Sequence, residues 1–217
     1  MFGVIVKDNN TKTPDDFGEN ITGWHNLLGW GNGEESVAPY VPTPNNVVRT
    51  MLELAEAGPD DVVYDLGCGD GRILIMAVEE FDVNKAVGFE LNRHLVETAI
   101  SNVASKNLEQ KILVERGNFF EVDLSSATIV TLYLTTTGNS KLRQKFIDEL
   151  RDGTRIISHD FPIQDWITME PNNTAIKFGS HKIFCYKIPD AYKTKTDETD
   201  KTNDKRWEKI KELLNRL

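Results

Sequence analysis

The stretch that most constrains this chain is Val62 to Arg72, VVYDLGCGDGR. Three β-favouring residues lead into Asp65, glycines stand at 67, 69 and 71, and the helical pattern ILIMAVEE follows at once. A strand, a tight turn and a helix are therefore predicted. Alternate glycines let the main chain approach a ligand that side chains would hold off, and the helix behind them offers unpaired N–H groups. An α/β fold built around a nucleotide-like cofactor is the consequence.

Spacing narrows the cofactor. A dinucleotide fingerprint beginning at Gly67 and Gly69 needs a small residue at 72, where strand and helix pack closely, and Arg72 stands there. The pattern present is acid-x-Gly-x-Gly-x-Gly, Asp65 to Gly71, which resembles motif I of the class I S-adenosylmethionine (AdoMet) methyltransferases. AdoMet carries an ammonium and a sulfonium and no pyrophosphate, so a carboxylate beside the turn suits it. The next apolar run, KAVGFE, reads as a buried strand ending in Glu90, 23 residues beyond Gly67. An acid there can accept the ribose hydroxyls, or it can serve the dipole of the helix LNRHLVETAISNVASKN. A third strand, KILVER, runs into Gly117-Asn118-Phe119-Phe120. Asn118 can bond the adenine edge and Phe119 pack on its ring, the alternative being a turn with two core phenylalanines. The cofactor set is then Asp65, Leu66, Gly67, Gly69, Gly71, Glu90, Leu91, Asn118 and Phe119.

The 217 residues suffice for one sizeable α/β domain with short appendages. A net charge of −9 opposes nucleic acid or an acidic membrane as a direct partner and steers a basic protein in. MFGVIVKDNN lacks the basic start and apolar run of a signal peptide, and no stretch approaches a membrane span, so the chain reads as cytoplasmic. Cys68 and Cys185 lack metal-ligand spacing and read as reduced thiols, and His25 has no ligand-spaced companion; no metal is expected.

Residues 1–37 form an extension in which Trp24, Leu27, Leu28 and Trp30 can cover a pocket, bind a partner or cap the core. In APYVPTPNNVVRTMLELAEAG, prolines 39, 42 and 44 hold a stiff loop ahead of a helix, with Thr43 or Asn45 as its cap. SATIVTLYLT (126–135) is a buried strand, NSKLRQKFIDEL (139–150) an amphipathic helix, and TRIISHDF a strand that brings His159 and Asp160 to the carboxyl edge. Trp166 either walls a substrate channel or packs in the core. NTAIKFG and HKIFCYKI close the sheet as a hairpin. Residues 189–204 read as a flexible linker, and Trp207, Ile210, Leu214 and Leu217 give 205–217 an apolar helical stripe.

Taken together, PYVPTP, VVYDLGCGDGRI, AVGFE, GNFFEVDLSSATIVTLYLT and GTRIISHDF resemble the archaeal-type broad-specificity protein lysine methyltransferases, relatives of enzymes that modify a mitochondrial ATP synthase subunit. The resemblance covers residues 38–188. It implies a Rossmann-like class I fold: a mostly parallel seven-stranded sheet with a closing antiparallel strand and helices on both faces. It also implies AdoMet as cofactor and a protein substrate with an accessible lysine. The family's proline-rich loop contributes to the cofactor and lysine channel, which assigns Tyr40, Pro42 and Thr43 to it. Tyr40 and Thr43 serve both cofactor and transfer, as does Tyr133, and Thr135 completes the transfer channel. The Leu132-Tyr133-Leu134-Thr135 run lacks the Asn/Asp-Pro-Pro-aromatic motif of base-amine methyltransferases and offers a narrower apolar slot suited to an aliphatic amine. A small-molecule or RNA methyltransferase, or a non-catalytic AdoMet-binding module with a partner-binding terminal helix, are the competing readings.

Overall fold

The computed structural model describes residues 41–192 together with Glu212. The expectations for residues 1–37, for Tyr40, for the linker beyond 192 and for the terminal helix lie outside the described residues, save that Glu212 is helical.

Pro44 (φ −58°) leads into helix α1, Asn45–Leu54, whose Val47, Val48, Met51, Leu52 and Leu54 are buried. Neither Thr43 nor Asn45 caps it, contrary to expectation, because the helix has no side-chain cap bond and the Thr43 hydroxyl faces His159. Strand β1 is Val62–Leu66, helix α2 is Arg72–Phe81, β2 is Lys85–Glu90, α3 is Arg93–Ser105 and β3 is Ile112–Arg116. Asn92 caps α3, its side chain accepting from the His94 and Leu95 amides. After β4 (Ile129–Leu132) come α4 (Thr136–Lys141), α5 (Arg143–Glu149) and β5 (Arg155–His159), then β6 (Ile176–Phe178) and β7 (His181–Lys187).

The seven strands lie in the order β3-β2-β1-β4-β5-β7-β6. The first five pair in parallel; β7 runs antiparallel to both β5 and β6. Side chains alternate between two cores: Val63, Ala86, Ile129 and Ile157 face α1, α2 and α3, whereas Leu66, Val87, Val130 and Ile156 face Phe146, Trp166 and Tyr186. The sheet therefore has helices on both faces, as the family resemblance implies. Strand order reverses between β1 and β4, and their carboxyl ends open the crevice where such sheets bind ligands.

Three boundaries differ from expectation. The strand foreseen over 126–135 is confined to Ile129–Leu132, and Thr135 instead caps α4 by accepting from the Gly138 amide at 3.1 Å. The single helix foreseen over 139–150 is two, parted at Leu142, and buried Asn139 in the first is tied to the end of β5, donating to Ser158 Oγ at 3.0 Å and the Phe161 carbonyl at 2.8 Å. The compact domain runs on to Tyr192, since Ala191 is buried and its carbonyl accepts from the Ile167 amide at 2.7 Å.

Candidate active site

Beyond β1 the main chain turns with positive φ at Gly67 (90°), Gly69 (54°) and Gly71 (81°). The amides of Gly67 and Cys68 both donate to the Phe89 carbonyl, at 2.9 and 3.0 Å, fastening the turn to the end of β2. Gly88 sits beneath it: a Cβ there would lie 2.5 Å from Leu74 Cδ1 and 2.6 Å from Cys68 Sγ. Only glycine at 88 lets Cys68 tuck under the turn. Burial pushes the Cys68 thiol well above its ordinary range, so it is an inert packing group.

Glu90 joins the two loops. One carboxylate oxygen accepts from Gly69 N at 3.1 Å, and the other from Leu91 N and Asn92 N, both at 2.9 Å. A carboxylate has about four acceptor positions, so one is left by count.

Asp65 is 3% exposed and accepts from Thr131 Oγ1 at 2.7 Å. Burial lifts its pKa to about 7; the Thr131 bond opposes this, and the charges of Glu90 and Asp70 add to it. A cation placed beside it would favour the ionised form. Leu66, by contrast, is buried in the core and offers a ligand only its main chain.

Arg72 does more than exclude a dinucleotide. Its guanidinium grips Asp70 through two bonds, 2.9 and 2.7 Å, and donates to the Thr43 carbonyl at 2.9 Å. The proline loop is thereby pinned over the glycine turn. Thr43 is 4% exposed, and its hydroxyl lies 3.2 Å from His159 Nδ1. This link from residue 43 to 159 joins the cofactor side of the crevice to the β5 edge.

At that edge Tyr133, half-buried, lies over the His159 ring with centroids 4.0 Å apart, and Phe161 stacks beyond it at 6.2 Å. Burial, with Asp160 beside it, raises the Tyr133 phenol, which is hydrogen-bonded to Asp160. His159 is fully buried, and burial lowers its pKa to about 4 against the pull of Asp160, so its imidazole is neutral. His181, absent from the sequence prediction, meets it: His159 Nε2 and His181 Nδ1 are 2.9 Å apart. The signal lay in the hairpin, for pairing of His159 with Ile183 brings His181 to the same edge.

Four expected residues make further contacts of their own. Asn118 donates to Glu121 Oε1 at 3.1 Å and accepts from the Phe120 amide at 3.1 Å, so its side chain holds a turn, while Phe119 packs on Phe120 at 4.9 Å and on the core. Thr135, exposed, spends its hydroxyl on the α4 cap. Trp166, 3% exposed among Phe146, Tyr186 and Tyr192, is a core residue and walls no channel.

The reversal of strand order, the glycine turn that a side chain would fill and the acid closing β2 define a class I AdoMet-dependent methyltransferase. Residues 65–170 match the model of the ANTKMT methyltransferase domain. A protein-lysine N-methyltransferase of Saccharolobus islandicus is 46% identical over 69% of this chain and 93% of its own length. An adenine nucleotide translocase lysine N-methyltransferase of mouse is 28% identical over 69% of this chain and 63% of its own length. Among solved structures, one described as an RNA methyltransferase from Salinibacter ruber in complex with S-adenosyl-L-homocysteine is 36% identical, with a TM-score of 0.66, covering 74% of this chain and 100% of that one. The chain belongs to the protein-lysine N-methyltransferase family of the Saccharolobus enzyme, and its cofactor is AdoMet.

Proposed function

We propose that this chain transfers methyl groups from AdoMet to the ε-amino nitrogen of lysine side chains in a protein substrate. The observation that carries this is the 46% identity to the archaeal protein-lysine enzyme across nearly its whole length. The geometry agrees with it. Glu90 and the main chain of 67–71 hold the ribose and methionine parts of the cofactor, and Asp65 faces its positive charge. Bound there, AdoMet supplies an electrophilic methyl group on a sulfonium.

Tyr133, Phe161 and Thr43 line the acceptor side. A lysine amine, ordinarily protonated with a pKa near 10.4, must be neutral to accept a methyl group. An aromatic wall favours the neutral form by withholding water. Alignment and desolvation then carry the reaction, with no dedicated base among the acceptor-lining residues.

The Salinibacter structure's description raises RNA as acceptor. A net charge of −9 and the Leu-Tyr-Leu-Thr run favour a protein instead, one with basic surface. Among the described residues no helix is long and apolar enough to cross a membrane, and two buried cysteines that form no disulfide agree with a reducing compartment, the cytoplasm. Radiolabelled AdoMet offered with lysine-rich proteins or RNA, followed by mass spectrometry, tests the reading: label appears on lysine Nζ. Label confined to RNA, or transfer to neither, overturns it.

A further inference from the structure

We propose that His159, Asp160 and His181 form a binding site for one divalent transition-metal ion of the zinc class. His159 Nε2 and His181 Nδ1 are 2.9 Å apart, and each lies 3.3 Å from the same oxygen, Asp160 Oδ2. Atoms so spaced, each roughly 2.1 Å from a common centre, subtend cis angles of roughly 90–105°, the facial arrangement of two imidazoles and a carboxylate.

The three atoms meet as a hydrogen-bonded cluster, in which a proton on one nitrogen can reach the other nitrogen or the carboxylate. If both facing nitrogens carry protons, both can donate to Asp160, but two N–H groups then oppose each other across 2.9 Å. If only one does, the other nitrogen's lone pair faces the carboxylate's at 3.3 Å. A cation at the centre accepts all three lone pairs.

The outer contacts are those a metal site requires. His159 Nδ1 is bonded to Thr43 Oγ1 at 3.2 Å, which leaves Nε2 for the centre, and Asp160, which also holds the Tyr133 phenol, accepts through Oδ1 from the Lys182 amide at 2.8 Å while its Oδ2 faces both imidazoles. Asp160 itself holds a left-handed backbone (φ 58°), a conformation that costs energy and concentrates at functional positions. His159 is fully buried, whereas the Asp160 and His181 side chains are 26% and 28% exposed, so a fourth position would face solvent. His181 also borders an open depression of about 570 Å³ with Pro44, Asn46 and Phe178. An ion here would clamp β5 to β7 and, through His159, fix the Thr43 loop on the acceptor side.

The test uses the full chain, stripped with chelator and titrated with Co²⁺ alone, followed by calorimetry and by the visible absorption of bound cobalt, then by Zn²⁺ displacement. One equivalent of Co²⁺ is expected, displaced by Zn²⁺. H181A and D160N should each weaken it by at least about 100-fold, and H94A, on the exposed face of α3, should not change it. Circular dichroism and AdoMet binding establish that each variant is folded. Failure of the folded wild type to take up stoichiometric Co²⁺ or Zn²⁺, or uptake that both ligand variants leave unchanged, overturns the proposal.

Discussion

At the ends of β1 and β2 the main chain does the holding: three amides converge on Glu90 and two on the Phe89 carbonyl. At the ends of β4, β5 and β7 side chains hold one another, through Tyr133, His159, Asp160, His181 and Thr43. The first arrangement is rigid and tied to a short run of sequence. The second is assembled from side chains far apart in sequence, from Thr43 to His181, the bond between Thr43 and His159 spanning 116 positions. In the proposed reading the first half is the cofactor cradle and the second the acceptor wall.

The largest effect should come from cutting the main-chain hub. Glu90→Ala releases three amides and removes the acceptor for ribose, and AdoMet affinity by calorimetry should fall on the order of 100-fold. Gly88→Ala attacks the same half from below without touching ligand. Its Cβ collides with Leu74 and Cys68, so thermal unfolding should show a loss of about 1–3 kcal/mol, with weaker AdoMet binding as the turn shifts.

A pH series sharpens the comparison further. The folded-state pKa of Asp65 is raised from 3.8 to about 7, so the folded protein holds this proton more tightly than the unfolded chain. The associated stability is full below pH 3.8 and is lost as pH rises towards 7, while AdoMet affinity rises over the upper part of that range as the carboxylate ionises. Asp65→Asn should flatten both profiles, measured by denaturant unfolding and by calorimetry. The smallest effect belongs to Thr135→Ala, which removes a helix cap: about 1 kcal/mol of stability, with cofactor affinity unchanged.

The same division decided what could be read from sequence. Strand β2 was legible to the residue, and Asp65, the glycines and Glu90 fell where their spacing placed them, because turn and strand periodicity are local properties. Asn118 is assigned by residue type, and its bonds to Phe120 and Glu121 show only in the folded turn. Thr135 looked like the end of a strand because helix capping and strand ending use the same residue. Arg72 was recognised for the small residue it displaces, not for its reach to the Thr43 carbonyl, which depends on where the proline loop lies. His181 was the furthest out of view, since it joins His159 only through hairpin register.

The most direct test of this division is the parallel measurement of AdoMet affinity and single-turnover methyl transfer in Tyr133→Ala, with folding checked by circular dichroism. Affinity should stay within a few-fold of wild type while transfer to lysine falls at least about 100-fold. Loss of affinity in proportion to transfer, or transfer that persists unchanged, would contradict an acceptor wall built on Tyr133 and separate from the cofactor cradle.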